Sequence, residues 1–176
     1  MNKNKEVSDT IFNMVHMSRY GSRDGQDFEH SLKKLFELFK QAENVELISG
    51  SGDTDLLCAM RSDDDSIYKI NVDGKTSSRS TPSLNAARLM NHIRLHNSKY
   101  CIVVSSRFAS GISGDILDSK VVAITAETLA NYCINEYNLS NDGFIDYSMI
   151  DEIIMRNLGH NISHLVQEFL DNYYGA

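Results

Sequence analysis

The sequence predicts a mixed α/β layer fold, and three observations carry that expectation. Two amphipathic runs open the chain, short apolar or alternating segments follow, and helical spacing returns at the end. With 176 residues and 19.8 kDa, 41% hydrophobic and 23% charged, the chain has the size and composition of one globular domain, read as residues 1–176.

From Glu6 to Arg19 the apolar residues Val7, Ile11 and Val15 recur at near-helical spacing. After Tyr20–Gln26, with its two glycines, Asp27 is expected to cap a second helix whose Phe28, Leu32, Leu35, Phe36 and Phe39 share one face. Val45–Ile48 is a short apolar stretch ending in the turn signal Ser49-Gly50-Ser51-Gly52. Leu56–Met60 reads as a buried strand, and Ile67–Val72 alternates as a strand with one covered face should. Thr76–Ser83 is a Ser/Thr loop closing on Pro82, the only proline, and Leu84–His96 returns to helical spacing. Tyr100–Val104 is continuous and rich in β-branched residues, which suits a strand buried on both faces. Val121–Ile124 is a further strand, and Thr125 then caps a helix through Ile134. Asp142-Gly143 turns the chain, and Ser148–Leu158 and His160–Tyr173 are helices broken at Gly159.

A net charge of −7 excludes general adhesion to polyanions, so contact with nucleic acid has to come from a local patch. Cys58, Cys101 and Cys133 are odd in number, far apart and set among apolar neighbours, which argues against a disulfide framework or a zinc site. No apolar run approaches the roughly 18 residues of a membrane span. A cytoplasmic protein without membrane contact is expected.

The chemistry concentrates in Gly50-Ser51-Gly52-Asp53-Thr54-Asp55, followed eighteen residues after Asp55 by Asp73-Gly74-Lys75. Carboxylates on neighbouring strands can meet at one end of a sheet and hold Mg²⁺ with hard oxygen ligands. A lysine two residues beyond the second carboxylate points to the same side of an extended chain. Asp55 and Asp73 are therefore the candidate metal ligands, with the Gly74 carbonyl as a third oxygen. Lys75 is the candidate for orienting or deprotonating the attacking water in phosphodiester hydrolysis. Glu29 and Asp53 are auxiliary candidates, and Asp53 competes with Asp55 for the first ligand position. Asp73-Gly74 is equally a hairpin signal, which would make Asp73 a turn residue and Lys75 a solvated one. His92 with His96, and His160 with His164, are spaced four apart as metal-binding pairs are, but neither pair has a third ligand near it.

With these residues in place the chain resembles the PD-(D/E)xK nuclease superfamily, and within it the cleavage domain of FokI-like type IIS restriction endonucleases. The likeness runs loosely from Asp27 to Asn157. It takes in the Phe28-Glu29 helix start, the Gly-Ser turn leading to Asp55, Val72-Asp73-Gly74-Lys75, Val103–Phe108 and Val121–Leu129. The resemblance implies a restriction-endonuclease-like mixed β-sheet core flanked by α-helices. It implies Asp55 and Asp73 as metal ligands and Lys75 as the catalytic lysine. Mg²⁺ would be the cofactor, with Mn²⁺ as a substitute, and double-stranded DNA the substrate in a prokaryotic cytoplasm. Thr54 stands where the family name has proline, and Gly74 replaces a bulkier residue.

Once that core is laid out, only the N-terminal helix and residues 158–176 remain for reading a DNA sequence. The expectation is a cleavage subunit that cuts one strand beside a larger recognition subunit in a heterodimer. The alternatives are a stand-alone defence, repair or junction-resolving nuclease, and a non-enzymatic α/β interaction module. Arg79, Arg88, Lys99 and Arg107 are the basic residues expected around the site, with Arg79, Arg88 and Arg107 the candidates for DNA contact.

Overall fold

A computed structural model describes residues 3–22, 25–48 and 54–175. Among them lies a five-stranded sheet in sequence order, made of β1 (Ala42–Leu47), β2 (Leu56–Arg61), β3 (Ile67–Lys75), β4 (Cys101–Ser105) and β5 (Val121–Thr125). β1, β2 and β3 pair antiparallel, whereas β3, β4 and β5 pair parallel. The central strand β3 is thus the seam between a meander and a crossover half. The parallel half is connected through α3 (Ala86–His96) and α4 (Ile112–Ile116). Sequence patterning did not signal α4, which has only five residues.

Because side chains alternate along a strand, the sheet carries two cores. Val72, Ile102, Val104, Val122 and Ile124 face the larger one with α1 (Lys3–Tyr20), α2 (Gln26–Phe36), α5 (Ala126–Leu139), α6 (Ser148–Arg156) and α7 (Ser163–Tyr174). Cys101, Val103, Val121 and Ala123 face the smaller one, closed by Leu84, Leu89 and Ile93 around α3 and by Ile112 and Ile116 of α4. This double cover changes the expectation for β3. Ile67 is exposed as a one-sided strand requires, but Ile70, Asn71, Val72 and Asp73 are all buried, and the strand runs on to Lys75.

Three local expectations are corrected. Gly25, at φ 81°, is the residue before α2, because it can adopt the left-handed conformation there. Asp27 lies in the first turn, where its carboxylate accepts from the Ser22 amide at 3.1 Å. The helices after residue 147 are separated by more than one glycine. Gly159 sits at φ 84° and donates its amide to the Val121 carbonyl at 2.8 Å, and α7 starts only at Ser163. His160 is therefore outside α7, and the expected His160–His164 helical pair does not form. Thr125 does cap α5, accepting from the Thr128 amide at 3.2 Å. The three cysteines are buried, and that burial pushes each thiol up.

Candidate active site

The site lies at the end of β3 where the antiparallel and parallel halves of the sheet meet. Leu56 pairs with Val72, so Asp55, one residue before β2, arrives opposite Asp73 on the same face. Thr54 helps to fix that approach. Its buried hydroxyl donates to the Val72 carbonyl at 3.1 Å, so a side chain tethers the segment that leads into β2.

Asp73 is wholly buried and flanked by two cations. Arg88 Nη2 donates to its Oδ1 at 2.9 Å, and Lys75 Nζ forms an ion pair with its Oδ2. Asp73 Oδ2 accepts no hydrogen bond in addition to that ion pair. Asp55 Oδ2 accepts from the Gly74 amide at 2.6 Å. Burial, and then the negative charge of Asp73, push the Asp55 carboxyl up to about 7 against the opposing effects of the Gly74 amide and Lys75. Glu29 acts in the same raising direction, which puts the α2 carboxylate within electrostatic reach of Asp55.

Asp73-Gly74 is not a hairpin turn. Both residues lie inside β3, in parallel register with Val103 and Val104. The missing side chain at Gly74 has a packing reason, since a Cβ there would stand 2.9 Å from Leu32 Cδ1 and 3.0 Å from Phe28 Cδ1 of α2. Glycine lets α2 press against the strand end and so brings Glu29 close.

The strand end is framed by hydroxyls and two loops. Ser105 Oγ lies 2.7 Å from Thr81 Oγ1 and 3.0 Å from the Lys75 carbonyl, and Thr81 N donates to the Arg107 carbonyl at 2.8 Å. These bonds tie the loop after β3 to the loop after β4. Arg79 and Arg107 are exposed on those loops, on the same rim as Lys75.

Lys99 is elsewhere. Its amide donates to the Lys69 carbonyl, four residues and roughly 13 Å down β3 from Asp73, and its ammonium pairs with Asp151 at 3.1 Å over the Tyr68 ring. It supports the opposite end of the sheet. Asp53 lies outside the described residues, as does the Gly50-Ser51-Gly52 turn. His92 is buried on α3, and among the described residues no three His, Cys, Asp or Glu side chains converge as metal ligands.

The sequence reading missed that Arg88 pairs with Asp73. A signal for it existed. A β-α-β crossover delivers the first turn of its helix near the C-terminal end of the strand it follows, and Arg88 is in that first turn.

A mixed five-stranded sheet with helices on both faces, carrying Asp55, Asp73 and Lys75 at the end of its central strands, defines a restriction-endonuclease-like fold. Over 148 residues, 84% of its length, the chain is 32% identical to the type II restriction enzyme HgaI of Avibacterium volantium. It spans only 29% of that enzyme. The solved structure of restriction endonuclease FokI superposes with a TM-score of 0.61 at 12% identity, covering 84% of this chain and 30% of FokI. FokI bound to DNA gives 0.58 at 12% identity over 92% of this chain and 33% of that one. No protein-family model matches the chain.

Proposed function

We propose that the chain is the cleavage module of a type IIS restriction endonuclease and hydrolyses a phosphodiester of double-stranded DNA with a divalent cation. The observation that carries this reading is the facing pair Asp55 and Asp73 with Lys75 two residues on. One carboxylate is fully buried, with an oxygen met only by the Lys75 ammonium, and the other is pushed up first by burial and then by its charged neighbour. Such a donor set suits a hard cation, which would neutralise two carboxylates that repel each other.

Asp55, Asp73 and the Gly74 carbonyl would hold Mg²⁺, with Mn²⁺ as a substitute. The ion would polarise a phosphoryl oxygen and offset charge developing on it. Lys75 is one-third exposed, open to solvent as well as paired with Asp73, and it orients the attacking water and balances charge on the phosphate. Glu29 contributes a further acidic group at the rim. Arg79 and Arg107 contact the DNA backbone, whose charge neutralisation supplies non-specific affinity. The acidic net charge keeps that affinity low, so the module depends on a larger recognition subunit to hold it on DNA, and each module cuts one strand. Among the described residues no helix is long and apolar enough to cross a membrane.

The test is cleavage of double-stranded DNA by the purified chain, alone and with a candidate recognition subunit, with Mg²⁺ and with chelator. Metal-dependent single-strand cutting only in the assembly, lost in Asp73→Asn, is the expected result. Robust double-strand cutting by the chain alone would replace this reading with a stand-alone nuclease. Wild-type cutting by Asp73→Asn would remove the catalytic assignment.

A further inference from the structure

We propose that Arg88 is the counter-ion of the metal-free site, and that a divalent cation has to displace it from Asp73 in order to bind. The inference rests on the nuclease reading above and adds a residue that opposes metal loading.

Asp73 has two oxygens and each faces a cation, Oδ1 the Arg88 guanidinium at 2.9 Å and Oδ2 the Lys75 ammonium. Removing a carboxylate from water without compensation is costly, so a wholly buried Asp73 needs such partners when no ion is present. The two cations are anchored differently. Lys75 is carried on β3 itself, two residues from Asp73 and hydrogen-bonded in the sheet beside Ser105. Arg88 reaches in from another element, the first turn of α3, and its side chain remains one-third exposed. It therefore has solvent to swing into, and Asp73 is its only ion-pair partner among the described residues.

A dication arriving between Asp55 and Asp73 supplies the charge that Arg88 supplies in its absence. With the ion, Arg88 and Lys75 all present, three cations crowd one carboxylate. Repulsion between them makes the sites compete, and a competition of this kind is reciprocal. Arg88 then lowers the affinity of the resting protein for the ion.

The test is calorimetric titration of Ca²⁺ into the full chain, comparing wild type with Arg88→Met, Asp55→Asn and Asp73→Asn. Arg88→Met is expected to bind Ca²⁺ about tenfold more tightly than wild type, the size usual for coupled sites. Unchanged or weaker binding by Arg88→Met, with binding abolished in the Asp55 and Asp73 variants, overturns the counter-ion role and leaves the metal site standing. Binding that neither Asp variant alters, or no binding by any of the proteins, overturns the nuclease reading and this inference together. Should Arg88→Met not fold, the NMR signals of the Arg88 side chain in wild type serve instead. They are expected to lose protection from solvent exchange as Ca²⁺ saturates, and signals unmoved at saturation overturn the proposal.

Discussion

The Gly74 amide donates to Oδ2 of Asp55 at 2.6 Å, so the residue between Asp73 and Lys75 orients the carboxylate of the neighbouring strand. Three consecutive positions of β3 thus serve the site in different ways. Asp73 and Lys75 do so with side chains on one face, and Gly74 does so with its backbone while its bare Cα faces α2.

Gly74→Ala is therefore expected to destabilise the protein. The added methyl meets Leu32 Cδ1 at 2.9 Å and Phe28 Cδ1 at 3.0 Å, both in buried side chains. Overpacking of this kind costs about 1–3 kcal/mol, to be read from urea unfolding midpoints. Moving α2 outwards also draws Glu29 away from Asp55. A Gly74→Ala protein as stable as wild type would mean that α2 yields freely.

The metal-free protein should show a pH dependence from Asp55. Its carboxyl sits near 7 in the folded chain and near 3.8 when unfolded, so between those values the folded state binds more protons. Stability from this group is then greatest below pH 3.8, falls as pH rises towards 7, and is flat above it. Asp55→Asn removes the charge. At pH 8 in chelator it is expected to be more stable than wild type, by an amount on the order of 4 kcal/mol before the partial exposure of the group reduces it. The check is the difference in melting temperature between the two proteins at pH 8 and at pH 5, which should shrink at the lower pH.

The legible parts of this molecule were those whose signal is local. The α2 stripe of Phe28, Leu32 and Leu35, the β-branched run of β4 and the Thr125 cap depend on neighbours within a few residues, and each is found near its expected place. Asp55, Asp73 and Lys75 could be paired because two strands with a turn between them fix their own register. What lay hidden depends on distant packing. The burial of β3 on both faces requires knowing that α3 and α4 cover the second face. Lys99 seemed near the site only because it precedes β4, whereas a parallel strand starts at the far end of the sheet.

Thr54→Pro tests whether the tether or the backbone conformation matters at that position. The substitution removes the 3.1 Å bond from the Thr54 hydroxyl to the Val72 carbonyl and fixes φ instead. Loss of one buried side-chain bond costs about 1 kcal/mol, and proline offsets part of it by restricting the unfolded chain. A near-neutral melting temperature with retained Ca²⁺ binding is expected, while Thr54→Val should lower stability by about 1 kcal/mol. Equal losses in both variants would show that the hydroxyl is required.

Arg79→Ala and Arg107→Ala probe the rim. Both residues are exposed on the loops that Thr81 and Ser105 tie together, so neither substitution should disturb the fold. If each guanidinium neutralises one phosphate, each variant lowers the slope of log affinity against log salt by about 0.9 for duplex DNA, and does so for any DNA sequence. The measurement is fluorescence anisotropy of a labelled duplex with the reconstituted assembly, in Ca²⁺ to prevent cutting, across a salt series. Arg88→Ala should behave differently in the same series. Repeated in chelator, which also prevents cutting, the series leaves the Arg88 charge spent on Asp73, so its removal is expected to leave the salt slope unchanged there. A parallel loss of slope in all three variants would place Arg88 on the DNA with the other two.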